Sequence, residues 1–282
     1  MEFTTFATNG IRLHTALDGP STGRPVILLH GFPEFWMSWR YQIPALAGRG
    51  LRVIAPDQRG YNLSDKPRGI AAYRLDTLAQ DILGLADSLG CPTFSLVGHD
   101  WGAGVAWWLA GKYPERVERL AILNVPHGSV FQRSLRSRPS QLRKSWYFFF
   151  FQVPGLIELI VRAGRGRPLF ETMRRSALPG TFSEDDFKAY QAAWLQPGAL
   201  TGMVSWYRAI VQQPPKVAPR GKVQPPTLII WGKRDAFLDW QMAQPSADRC
   251  RDARLVMVED ATHWVQHEKP DLVNGLLGDF LA

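Results

Sequence analysis

Short, mostly apolar runs recur at intervals along the first 124 positions of the chain. Val26–Leu29, Leu51–Ala55, Thr93–Val97 and Ala121–Leu123 are too short for helices and too continuous for one-sided strands. They predict strands buried on both faces. Between them, Leu75, Leu78, Ala79, Ile82, Leu85, Ala86 and Leu89 fall on one helical face, and Gly90 follows as a stop. A second helix, rich in Ala, Trp and Leu, is expected over Gly102–Tyr113. Strand and helix in this alternation predict a mostly parallel, doubly wound sheet. From about residue 129 the rhythm breaks into Arg-rich, aromatic-rich helical segments punctuated by Pro139, Pro154, Pro168, Pro179 and Pro197. Strand patterns resume at Thr227–Trp231 and Arg254–Val258, each with a helical stretch behind it. The expected organisation is an α/β core, 1–128 and 217–282, interrupted by a helical lid over 129–216.

Composition narrows the class. A chain of 282 residues accommodates one large α/β domain, or a core with an inserted subdomain. Two cysteines, Cys91 and Cys250, are too few for a disulfide framework, and the N-terminus lacks a basic start and an apolar core. A cytoplasmic location is therefore expected. The most apolar stretch, Trp146–Val161, is broken by Gln152, Pro154, Gly155 and Glu158, which argues against stable membrane insertion. Residues 129–216 hold 13 Lys and Arg against 5 Asp and Glu, so the whole excess of +8 lies there. A solvated basic face accounts for this, and so does a guide for anionic substrates or a membrane surface. No nucleic-acid-binding motif accompanies the charge.

The chemistry centres on Gly98-His99-Asp100-Trp101-Gly102, a small-X-nucleophile-X-small pattern between a predicted strand and a predicted helix. That arrangement describes a nucleophile elbow, with glycines where the turn is strained. Aspartate replaces the usual serine. Its attack on an acyl carbon would give a mixed anhydride, whereas attack on an sp³ carbon gives an ordinary ester, so alkyl electrophiles such as epoxides or carbon–halogen bonds are indicated. Asp is also a favoured N-cap, and the five residues alone are compatible with that plainer role. Asp235 follows the Thr227–Trp231 strand and His263 follows the Arg254–Val258 strand. Catalytic groups of open α/β sheets gather beyond the carboxyl ends of strands, and the order nucleophile, acid, histidine is that of a hydrolase triad. Asp235 is equally at home as a turn residue, and His267 competes with His263. The position directly after a strand favours His263. In His30-Gly31-Phe32-Pro33-Glu34, a Gly-X-Pro turn can present the Phe32 N–H; with the Trp101 N–H it would form an oxyanion hole.

These motifs, together with Asp57-Gln58-Arg59-Gly60-Tyr61-Asn62-Leu63-Ser64, resemble those of the soluble and microbial epoxide hydrolases of the α/β-hydrolase fold. The resemblance covers essentially the full length. It implies an inserted helical cap, a small-molecule epoxide substrate and no metal or organic cofactor. It further implies two cap tyrosines that hold and protonate the epoxide oxygen, with Tyr207 a good match and Tyr147, in a looser motif, the candidate for the other. Either could instead serve aromatic packing. The substrate pocket is expected to involve His30, Pro33, Trp101, Phe151 and Trp264, with Phe148–Phe151 forming lid core and tunnel wall. Thr262 stands where the family usually has Gly, and Asn62-Leu63 replace a small-residue pair, which puts local loop geometry in question. A haloalkane or haloacid dehalogenase, or a non-catalytic ligand-binding protein of the same fold, is the alternative. The sequence is silent on oligomeric state, and a homodimer is compatible with it.

Overall fold

The computed structural model describes residues 1–215 and 221–282. Its strands are β1 (Glu2–Thr8), β2 (Ile11–Asp18), β3 (Pro25–Leu29), β4 (Arg52–Pro56), β5 (Phe94–His99), β6 (Val117–Leu123), β7 (Thr227–Gly232) and β8 (Ala253–Val258). They form one sheet in the order β1-β2-β4-β3-β5-β6-β7-β8. From β4 to β8 every pairing is parallel. The β1–β2 hairpin runs antiparallel at one edge, an element the apolar runs did not reveal. Its signal was local: Asn9-Gly10 sits at the turn with φ of 45° and 75°, the Asn-Gly pair that a tight hairpin favours.

Successive strand residues go to opposite faces, and both faces are covered. Ile27 and Leu29 pack toward α2 (Leu75–Ser88) and α3 (Trp101–Lys112), with α1 (Gln42–Ala47) preceding them in the chain. Val26 and Leu28 pack on the opposite side, which α1 shares with the C-terminal helix. This two-sided burial is why the strands read as continuous apolar runs rather than alternating ones.

Between β6 and β7 lie α4 (Gly128–Ser137), α5 (Pro139–Lys144), α6 (Trp146–Phe150), α7 (Leu156–Ala163), α8 (Arg167–Ser176), α9 (Glu184–Trp194) and α10 (Ala199–Gln212). After β7 come α11 (Ala243–Ala247), α12 (Val265–Glu268) and α13 (Pro270–Leu281). The expected junction at 216/217 lies outside the described residues. Polar hooks tie the helical insertion to the core: Tyr190 Oη donates to Glu34 Oε1 at 2.7 Å, and Trp206 Nε1 donates to the Arg59 carbonyl at 3.0 Å. Trp194 Nε1 donates to the Pro33 carbonyl. Among the described residues, no helix is long and apolar enough to cross a membrane.

Candidate active site

His30, Asp57, Asp100, Asn124, Asp235 and His263 all lie just past the carboxyl ends of their strands, and so share one edge of the sheet. Asp100 is held at φ 49°, ψ −123°, a conformation few residues with a side chain adopt. The turn closes because its flanks lack a Cβ. One at Gly102 would run into the Leu29 and His30 carbonyls, and one at Gly31 would run into the Asp100 side chain. Asp100 occupies the N-cap position of α3 yet makes no side-chain capping bond. Its Oδ1 accepts instead from the Phe32 N–H at 2.6 Å. Trp101 is the first helical residue, so its N–H has no intrahelical partner.

His263 Nε2 lies 3.5 Å from Asp100 Oδ2, while its Nδ1 is 2.7 Å from Asp235 Oδ2. Both oxygens of Asp235 are occupied. Asn124 Nδ2 reaches Oδ2 at 2.9 Å, and the Phe237 and Leu238 N–H groups reach Oδ1 at 2.7 and 2.9 Å. Asp100 and His263 face a cavity of about 260 Å³ that is also lined by Tyr147, Tyr207, Pro33, Phe151 and Trp264. The two tyrosines belong to α6 and α10 and meet edge to face, with ring centroids 5.8 Å apart.

The sequence profile of the family described as alpha/beta hydrolase fold matches residues 24–270. The chain is 44% identical over 274 residues to the AB hydrolase superfamily protein YfhM of Bacillus subtilis, covering 97% of this chain and 96% of that protein. It is 38% identical over 276 residues to epoxide hydrolase 2 of Caenorhabditis elegans, covering 96% and 77%. The crystal structure of the Bacillus megaterium epoxide hydrolase in complex with an inhibitor superposes with a TM-score of 0.88 at 32% identity, covering 99% of both chains. The chain belongs to the epoxide hydrolase family of the α/β-hydrolase fold.

Electrostatics set the protonation of this hydrolase's groups. Burial works against a charged imidazole at His263, but Asp235, joined by Asp100, outweighs it and raises the pKa to about 10. Burial also opposes charge on Asp235, yet His263, Asn124 and the Leu238 N–H bring its pKa below the ordinary value. Tyr147 and Tyr207 are pushed well above the ordinary phenol value, first by burial and then by the Asp100 charge. Both therefore stay neutral and able to donate a proton throughout the physiological range.

Two of the expected pocket residues do not line the cavity. His30 is fully buried beneath it: its Nδ1 donates to the Gly31 carbonyl at 3.0 Å and its Nε2 accepts from the Gln58 N–H at 3.0 Å. Both ring nitrogens are spent on loop structure, and burial lowers its pKa. Trp101 turns its indole toward α10, edge-on to Trp206 and Tyr207 with centroids at 5.8 and 5.0 Å, so it backs the tyrosine rather than the cavity. Within Phe148–Phe151, Phe150 and Phe151 line the cavity, but Phe149 is 66% exposed. The loop departures are accommodated. Thr262 is anchored by Glu268, which accepts from its N–H at 2.7 Å and its Oγ1 at 2.6 Å. Asn62 takes φ 39° and donates to Asp57 Oδ2 at 2.8 Å.

Asn124 and a buried polar cluster around Glu34 were not read from the sequence. Asn124 carried one usable signal, its place directly after a strand. Glu34 accepts from Ser38 Oγ, Tyr190 Oη and His267 Nε2, each at 2.7 Å. Beside it, His99 Nε2 donates to the His263 carbonyl at 2.8 Å. His267 is thus engaged in this cluster and not with Asp100. Burial favours a neutral Glu34, but His267 and His99 overcome it and hold the carboxyl well below its usual range. A depressed carboxylate contributes stability that is complete above the unfolded-state pKa and is lost as pH falls through the folded one. Glu34→Gln is expected to cost about 3–5 kcal/mol at neutral pH. It should also flatten the acid limb of a stability-versus-pH curve, read by denaturant unfolding. An acid limb as steep as that of the parent would show that Glu34 is not the titrating group.

Proposed function

We propose that the protein hydrolyses small epoxides to vicinal diols through an alkyl ester on Asp100. The observation that carries the reading is the convergence on one apolar cavity of a carboxylate, a histidine backed by a buried aspartate, and two phenols. In the first step Tyr147 and Tyr207 hold the epoxide oxygen. Asp100 Oδ2 attacks a ring carbon from the other side, the C–O bond breaks, and the leaving oxygen takes a proton from a phenol. An epoxide oxygen leaves as an alkoxide and needs that proton, which a halide would not. Oδ1 meanwhile stays on the Phe32 N–H.

In the second step His263 Nε2 removes a proton from water, and the hydroxide adds to the Asp100 carbonyl carbon. The charge that develops on Oδ1 falls on the Phe32 N–H, with the Trp101 N–H as the second donor. Collapse releases the diol and restores the carboxylate, and the proton taken up by His263 returns to the phenolate left by the first step. Esterification itself prepares His263 for this role. It removes the Asp100 charge, which joins that of Asp235 in holding the imidazole proton, and so favours Nε2 as a base when there is an ester to hydrolyse.

The helical insertion acts in this scheme as the cap that carries the proton donors. Tyr207→Phe and Tyr147→Phe are each expected to slow ester formation about 10²-fold or more, and together to abolish it. Breakdown of a preformed ester should be little changed. Rapid-quench kinetics separate the two steps, and equal slowing of both would assign the tyrosines to packing.

The test of the function is a product assay on an aryl epoxide, a fatty-acid epoxide and a haloalkane. Diol from an epoxide supports the reading. Halide release without diol would place the chemistry with carbon–halogen bonds.

A further inference from the structure

Helix α7 buries its one carboxylate while leaving two of its hydrophobes in solvent. Its carboxylate, Glu158, is buried and accepts from Arg208 Nη1 at 2.8 Å and Nη2 at 3.2 Å, whereas Leu159 is 66% exposed and Ile160 is open to solvent beside it. A helix facing water shows the opposite pattern. The same inversion continues along the neighbouring chain. Of the fourteen large apolar side chains exposed among the described residues, six fall within 142–160: Leu142, Trp146, Phe149, Val153, Leu159 and Ile160. Two of the six, Trp146 from α6 and Ile160 from α7, are exposed and also line the cavity, so this apolar segment adjoins it.

Exposed arginines flank these apolar residues in the chain. All five carboxylates of 129–216 are engaged by other cations: Glu158 by Arg208, Glu171 and Glu184 by Arg167 and Arg174, Asp185 by Lys188 and Asp186 by Arg40. Arg143, beside Leu142, and Arg162 and Arg165, following Ile160, are exposed and have no carboxylate partner among the described residues. A second copy of the chain on this face would bring these like charges together. An anionic lipid surface would neutralise them and accept the apolar side chains.

We propose that this face docks on an anionic membrane surface. Its aromatic and aliphatic side chains enter the headgroup–acyl boundary, Arg143, Arg162 and Arg165 meet lipid phosphates, and the cavity mouth opens toward lipid-dissolved substrates. Delivery of substrate rests on the epoxide reading above; docking does not.

The test pairs vesicle co-sedimentation with turnover. The parent protein should sediment with phosphatidylglycerol-containing vesicles, far less with pure phosphatidylcholine, and less again as salt rises. The double variant Phe149→Glu/Leu159→Glu, altered at two exposed positions outside the cavity lining, should lose about tenfold or more of that binding. Its melting temperature and its turnover of a water-dissolved aryl epoxide should stay close to the parent's. Turnover of a long-chain epoxide dissolved in the anionic vesicles should fall with binding. Absent sedimentation, or sedimentation that the variant leaves intact, would overturn docking. So would a dimer in analytical ultracentrifugation that the variant converts to monomer, because a second copy would then own the face. Vesicle binding with no turnover of either epoxide would leave docking standing and sink the functional reading instead.

Discussion

Asp100→Ala abolishes diol formation in the expected outcome, with a loss on the order of 10⁴-fold or more. The size follows from the role: among the described residues no other carboxylate lines the cavity with Asp100, so none of them is placed to take over the attack. The alanine variant loses the covalent step itself rather than a contribution to it. The elbow should survive, because its closure depends on the flanking glycines and on the sheet beneath them rather than on a capping bond from Asp100. The measurement is steady-state diol production beside intact-protein mass spectrometry. The variant should show neither product nor adduct while keeping a cooperative unfolding transition. Turnover within about tenfold of the parent would exclude Asp100 as the nucleophile.

His263→Gln is expected to split the reaction. Ester formation needs the Asp100 carboxylate and the phenols, which the change leaves in place, whereas ester hydrolysis loses its base. A general base is worth about 10²–10⁴-fold, so the second step becomes limiting and the alkyl-enzyme accumulates. Mass spectrometry should find the protein heavier by one substrate. A single burst of substrate consumption, stoichiometric with enzyme, should precede slow turnover. Normal steady-state diol release would show that another group serves as base.

The same residue yields a stability signature. Its folded-state pKa of about 10 lies above the unfolded value of 6.5, so its contribution is fully present below about 6.5 and is lost as pH rises through 10. The parent should lose stability across that window in denaturant titrations, and His263→Gln should lose less.

Residues whose roles depend on their immediate neighbours in the chain were legible from the start. The strand before Asp100 is an apolar run, the helix after it is an apolar stretch with Ala, Trp and Leu, and the glycines between them have a steric purpose. The elbow is therefore written in five consecutive letters. Asp235 and His263 were readable in the same way, each by its place at a strand end, although a turn residue and a competing histidine remained compatible with the letters. His30 and Trp101 misled for a related reason. Their motif marks the site, but whether a side chain points into a cavity or away from it is set by what packs on its other side. For His30 that is the Gln58 loop, and for Trp101 it is α10.

By itself, the sequence determined the alternating elements, the parallel sheet they imply, the aspartate in place of serine and the confinement of the excess positive charge to the middle of the chain. These follow from local sterics, hydrophobic period and composition, all carried by residues near one another. Only the tertiary structure decided that Asn124 would help to hold Asp235, 111 positions away, and that Glu34 would gather partners from α9 and α12. It alone brought Tyr147 and Tyr207 to one cavity and turned Phe149 and Leu159 outward. Such contacts are selected by long-range packing, in which each side chain's direction depends on elements far away in the chain, and no local pattern encodes that choice.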